Sequence, residues 1–153
     1  MEDKPYYQIA IFLKNPKKGQ VIVMKKNPHI TVKRRFSIKD ITENQLSKAL
    51  KEIKFEFKNK KLMLGTISKF HTGQKYYNIQ PRITMSQIHK KILNNINKYI
   101  ETKDKRWENE NYIPHLTIYD DKRPSKIFIK VDFLFLAKEI DAENDKWKII
   151  EKI

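Results

Sequence analysis

The sequence contains no cysteine. That absence excludes disulfides, thiolate metal sites, redox thiols and cysteine nucleophiles together, and it makes the reducing cytoplasm the expected location. No stretch approaches the ~18 consecutive apolar residues of a membrane-spanning helix, and the start Met1-Glu2-Asp3-Lys4-Pro5 lacks the basic head and apolar run of a signal peptide. A soluble protein with no membrane partner is expected. Acids are outnumbered: 18 against 33 bases give a net charge of +15, enough to concentrate anionic partners such as nucleotides or RNA. Glycine is scarce at 3 residues, and 28 lysines stand against 5 arginines. Codon bias in an A/T-rich genome produces the same skew, so charge alone does not name a partner.

The chain has 153 residues, of which 39% are apolar and 11% aromatic. That is the composition of one folded domain, 1–153, with no linker or low-complexity segment dividing it. Tyr6 to Lys14 reads as a strand, Asn15–Gly19 as a turn, and Gln20–Met24 as a second strand, a pattern that suggests a hairpin. A strand from Pro28 to about Phe36 follows. Thr42-Glu43-Asn44-Gln45 has capping-box form ahead of Leu46, Ala49, Leu50 and Ile53 at helical spacing. Phe55 and Phe57, Leu62–Phe70 and Tyr76–Gln80 read as further strands. Thr84-Met85-Ser86-Gln87 repeats the capping box and opens a longer helix with Met85, Ile88, Ile92, Ile96 and Tyr99 on one face, closing near Glu101. Strands resume at Tyr112–Tyr119, Ile127–Ala137 and Trp147–Ile153. Roughly eight strands and two helices without βαβ alternation indicate an α+β fold.

Two pentapeptides repeat: Pro28-His29-Ile30-Thr31-Val32 and Pro114-His115-Leu116-Thr117-Ile118, with identical Pro, His and Thr. From this composition, chance recurrence is on the order of one in a thousand. Side chains alternate along a strand, so His29 and Thr31 share one face while Ile30 and Val32 enter the core; the second copy behaves alike. Two imidazoles flanking one substrate atom can divide a proton transfer between a base and an acid, for which an ordinary pKa near 6.5 is suited. A hydroxyl two residues along the same face can donate to an anionic oxygen held between them.

The paired His-x-Thr-x motifs resemble those of the two-histidine (2H) phosphoesterase superfamily, which includes 2′-5′ RNA ligase-like proteins and cyclic nucleotide phosphodiesterases. The resemblance implies a two-lobed α+β fold in which antiparallel sheets with pseudo-twofold symmetry surround a central cleft, with helices outside. It further implies metal-independent phosphodiesterase chemistry with His29 and His115 catalytic and Thr31 and Thr117 binding phosphate. In one respect the chain departs from the family pattern. A helix usually lies between the first strand and the first motif, but only about 14 residues separate them here, so one lobe is expected to be trimmed.

The same strand parity exposes Lys33 and Arg35, with Arg34 turned away unless a bulge intervenes. Lys33, Arg35 and Tyr119 are candidate substrate-binding residues, and Tyr7 and Trp107 are candidate base-stacking residues. Solvated charge and simple packing are the competing readings. Trp147 is read as core, His71 and His89 as surface or structural residues, and Asp120–Pro124 as a solvated turn. The expectation is a cofactor-free, monomeric phosphodiesterase acting on a 2′- or 3′-linked phosphodiester in a small nucleotide or short RNA, with no DNA partner. Immune messengers such as 2′-5′ oligoadenylate or cyclic dinucleotides, degraded in viral immune evasion, are preferred as substrates over 2′,3′-cyclic phosphate or oligouridine RNA ends. A non-catalytic RNA-binding module is the alternative from another class.

Overall fold

In the computed structural model, residues 4–53, 61–119 and 128–153 are described. The expected strand at Phe55 and Phe57, Ile127, and the turn Asp120–Pro124 lie outside the described residues. Within them, β-branched and aromatic runs form ten strands: β1 (Tyr7–Phe12), β2 (Val21–Val23), β3 (His29–Ile38), β4 (Lys61–Lys69), β5 (Lys75–Gln80), β6 (Ile100–Thr102), β7 (His115–Thr117), β8 (Phe128–Lys130), β9 (Phe135–Asp141) and β10 (Lys146–Lys152). Among the described residues two α-helices accompany them, α1 (Glu43–Glu52) and α2 (Arg82–Ile96). The strands form a sheet in the order β2-β10-β9-β1-β3-β7-β5-β4-β8, with β6 joined to β3. Every pairing is antiparallel.

α1 starts where its capping box places it. The Thr42 side chain accepts from the Gln45 amide, and the Gln45 side chain accepts from the Thr42 amide. Its buried Leu46 and Leu50 join Met85, Ile88, Ile92 and Ile96 of α2 in one apolar cluster with Ile9, Ile11, Ile30 and Leu116 of the sheet. Ala10 and Phe12, of opposite parity on β1, join Ile22, Phe135, Trp147 and Ile149 in a second cluster. The helices therefore lie against one face of the sheet, and the other face is left for the smaller cluster and the motif side chains.

Four expectations about the elements are corrected. The hairpin between the first two strands does not form: both edges of β1 are occupied, by β3 and β9, and β2 pairs with β10 instead. The expected strand Ile127–Ala137 divides into β8 and β9, which lie on opposite sides of the sheet path, with Val131 and Leu134 buried in the crossing. Tyr112–Tyr119 contracts to the three residues of β7. The second helix opens at Arg82 behind Pro81, not at the second capping box, and Thr84 is buried within it. It closes at Ile96, because Ile100–Thr102 leaves to pair with β3.

The two halves of the sheet are built alike around the motif strands but joined differently. β5 leads to β7 through α2, whereas β1 leads to β3 through only β2 and a 3-10 turn at Met24–Lys26. The expected trimming thus falls on the first lobe. Among the described residues, no helix is long and apolar enough to cross a membrane.

Candidate active site

The two motif strands are direct neighbours, and Ile30 pairs with Leu116 between them. In an antiparallel register that pairing sets His29 opposite Thr117 and Thr31 opposite His115, so each imidazole faces a hydroxyl across the strand gap. Leu116 and Ile30, both buried, hold the opposite face.

The histidines are held by matching contacts. His29 Nδ1 lies 2.7 Å from the carbonyl of Asn27, and His115 Nδ1 lies 2.7 Å from the carbonyl of Ile113, each two residues upstream. A carbonyl can only accept, so each Nδ1 carries the proton and donates it. Each Nε2 is then the lone-pair nitrogen of the neutral ring, and no group among the described residues occupies it. Phe12 packs beside His29 at 5.7 Å, and Phe70 meets His115 edge-on at 5.1 Å. Burial lowers the pKa of both rings. For His29, the Asn27 carbonyl and the Asp145 carboxylate oppose this while a charge on His115 adds to it. For His115, the Ile113 carbonyl opposes it and the Arg34 guanidinium adds to it. A charge on His115 thus disfavours a charge on His29, and burial favours the neutral form of both rings.

These four side chains line a cleft of about 730 Å³ together with Arg34, Arg35, Trp107, Tyr119 and Asp145. That volume suits a nucleotide-sized ligand. One wall is the segment between β6 and β7. β6 pairs with β3 at Phe36–Ile38 and β7 returns at Ile30, so the intervening residues arch beside the same strand edge. Lys103 donates its amide to the Arg35 carbonyl at 3.0 Å, and the Tyr112 hydroxyl donates to the Thr31 carbonyl at 2.8 Å. His89 pins the arch from beneath: its Nδ1 lies 2.7 Å from the Val32 carbonyl, its Nε2 accepts from the Asn109 amide at 3.0 Å, and its ring stacks on Tyr112 at 4.2 Å. Both ring nitrogens are thereby satisfied in the neutral form, and His89 is structural. Asp145, in a left-handed conformation at φ 54°, accepts from the Lys25 amide and the Trp147 indole. It thus ties the β9–β10 turn to the short connection ahead of His29.

Of the residues expected around the motifs, Arg35, Trp107 and Tyr119 line the cleft. Arg35 is paired with Glu139 at 2.8 Å and lies over the buried Trp147 ring. Tyr7 and Lys33 do not reach the cleft. Tyr7 is 3% exposed, stacks on Phe36 and donates to Glu43 Oε2 at 2.6 Å, because its position on β1 faces the helix-side core. Lys33 is fully buried, where its ammonium meets Glu108 and Thr102 Oγ1. The cause is a break in register. Ala10 pairs with Thr31 and the adjacent Ile9 with Lys33, so β3 carries one extra residue there and a second before Phe36. The bulge turns Lys33 inward and brings Arg34 to the cleft. Arg34 and Asp145 escape a reading by strand alternation, since one depends on that bulge and the other on a distant hairpin turn. Among the described residues, no group of three His, Asp or Glu side chains is placed to hold a metal ion.

The family model described as the 2′-5′ RNA ligase superfamily matches residues 14–143, well over half of the chain. No curated protein sequence matches it. Among solved structures, a crystal structure of a phosphoesterase superimposes with a TM-score of 0.63 at 13% identity, covering 99% of this chain and 98% of the other. E. coli LigT complexed with NADP+ gives 0.61 at 12% identity, covering 99% and 97%, and LigT complexed with 3′-AMP gives 0.60 at 13%, covering 99% and 98%. At these identities the likeness is one of fold.

Proposed function

The chain belongs to the 2′-5′ RNA ligase superfamily, and from that premise we propose that it is a metal-independent phosphodiesterase, one bilobal domain in which His29 and His115 act as an acid–base pair. The observation that carries this reading is the matched tethering of the two imidazoles, each by Nδ1 to a carbonyl two residues upstream. It leaves two Nε2 atoms for one phosphorus. One histidine takes the proton of the attacking ribose hydroxyl or water, and the other returns a proton to the leaving oxygen. Burial favours the neutral form of both rings, so the acid takes up its proton at Nε2 before it can serve the leaving oxygen. Thr31 and Thr117, each opposite the other motif's histidine, donate to the non-bridging phosphate oxygens as charge develops on them.

The substrate proposed is a small nucleotide with a 2′- or 3′-linked phosphodiester, 2′-5′ oligoadenylate or a cyclic dinucleotide messenger, as expected of a viral immune-evasion enzyme. The cleft volume and the Trp107 and Tyr119 rings at its wall support a ligand with bases to stack. LigT structures with 3′-AMP and NADP+ support nucleotide ligands for this fold. The test is incubation with 2′-5′ oligoadenylate, 2′,3′-cGAMP, 3′,3′ cyclic dinucleotides, nucleoside 2′,3′-cyclic phosphates and oligouridine RNA, with products identified by mass. Cleavage of a messenger is expected. Inertness toward the whole panel, with salt-sensitive binding of long RNA that survives loss of both histidines, would make the protein a binding module.

A further inference from the structure

Arg34 is exposed at the cleft wall. It is there only because β3 carries an extra residue after Thr31. Of the cations near it, Arg35 is matched with Glu139 at 2.8 Å, Arg106 with Asp104 at 2.8 Å and Lys33, beneath, with Glu108, while Lys103, which also lines the cleft, lies over the Tyr6 ring. Among the described residues, no carboxylate lies within ion-pair distance of Arg34 itself. The charges that act on it are Asp104 in its favour and Arg106 and Arg35 against. A guanidinium crowded by two other cations is an unfavourable arrangement, and an incoming anion relieves it. Its place is also specific. Arg34 lines the same cleft as His29 and His115, and its charge adds to the lowering of the His115 pKa.

Resting on the phosphodiesterase reading above, we propose that Arg34 forms a second phosphate subsite, so that the substrate carries another phosphate beyond the scissile one. A planar guanidinium with two donor edges matches two phosphate oxygens. Arg106, held by Nε and Nη2 against the Asp104 carboxylate, borders the subsite and carries Trp107 next to it in sequence as a surface for the attached base. A cyclic dinucleotide or a 5′-phosphorylated 2′-5′ oligonucleotide meets this requirement. A nucleoside 2′,3′-cyclic monophosphate does not.

Binding tests the subsite independently of turnover. Adenosine 2′,5′-bisphosphate, 2′-AMP and 5′-AMP are titrated calorimetrically into the wild-type protein, Arg34→Gln and Arg34→Lys at low ionic strength. The bisphosphate is expected to bind at least tenfold more tightly than either monophosphate. Arg34→Gln should erase most of that advantage, and Arg34→Lys should keep part of it. Equal affinity for all three nucleotides, or an advantage retained in Arg34→Gln, overturns the subsite even where the panel diesters are cleaved. Failure of the histidine reading appears separately, as intact cleavage in His29→Ala and His115→Ala. Cleavage of 5′-phosphorylated 2′-5′ ApA and of a cyclic dinucleotide, each compared between wild type and Arg34→Gln, then distinguishes linear from cyclic substrates.

Discussion

Ile30 and Leu116 pair across the join between the two lobes, each as the centre of a His-x-Thr triplet. Both are buried, 0% and 2% exposed, and each is flanked by the side chains proposed for chemistry. The same two residues thus join the halves of the sheet and set the spacing of the histidines.

Ile30→Asp or Leu116→Asp is expected to unfold the protein, since a lone carboxylate would enter the apolar cluster under the helices. His29→Ala and His115→Ala should keep the fold and lose about 10²- to 10⁴-fold in cleavage rate each. Circular dichroism melts alongside rates measure both. Wild-type turnover in both histidine variants would end the acid–base assignment.

The contrast explains what could be read from the residues. Alternation along Pro28–Val32 and Pro114–Ile118 depends only on local strand geometry, so the facing of the four motif side chains and their buried partners is legible in the sequence. The fate of Lys33 and Arg34 was not, because the bulge that exchanges them is set by how β3 pairs with Ile9 and Tyr7 some twenty-five residues earlier. Strand partners failed for a similar reason. Asn15–Gly19 is a plausible turn, but β1 fills both edges with strands distant in sequence, leaving β2 to β10. The capping box at Thr42 is used, whereas that at Thr84 loses to the start at Arg82 behind Pro81, three residues before it.

Lys33 is expected to matter for stability and not for phosphate binding. Lys33→Ala leaves Glu108 largely buried without its cation, a defect worth about 3–5 kcal/mol. Lys33→Met with Glu108→Gln should recover much of that loss. Urea melts of the three proteins, set beside nucleotide affinity at two salt concentrations, separate this from a surface role; a drop in affinity with unchanged stability would contradict it.

The pH profile follows from the direction of both histidine shifts. The base must be neutral, so activity rises with pH through its pKa; the acid must be protonated, so activity falls above its own. Burial lowers both rings below the ordinary imidazole value, so both limbs of kcat/KM should lie on the acid side of about 6.5. Activity should decline between pH 7 and 8. In Arg34→Gln the cation that pushes His115 down is gone, and one limb should move upward. Limbs above pH 7.5 in the wild type would contradict this account.

Cleavage should persist in excess EDTA and gain nothing from Mg²⁺, Mn²⁺ or Zn²⁺, because the proposed base and acid are both side chains. Rates before and after chelation and dialysis measure this. Loss of activity restored by one particular metal would move the protein to another mechanistic class.

Thr31 and Thr117 should behave as a pair and not as two independent contributors. Each hydroxyl is set opposite the other motif's histidine by the Ile30–Leu116 register, and a phosphodiester has two non-bridging oxygens for them. A hydrogen bond to a charged oxygen is worth about 1.5–3 kcal/mol, so Thr31→Val or Thr117→Val should each slow cleavage roughly 10- to 100-fold. Both residues are half-buried on strands, where valine keeps the shape and the β-branch, so melting should change little. The loss should fall mainly on kcat if the bonds strengthen as charge develops, and on KM if they serve the ground state. Thr31 pairs with the small Ala10, whereas Thr117 pairs with Tyr76 and stands two residues from Tyr119, whose hydroxyl it influences. Tyr119→Phe should therefore deepen no defect in Thr117→Val but add to that of Thr31→Val. Additive losses in both double variants would show that Tyr119 acts apart from the second motif.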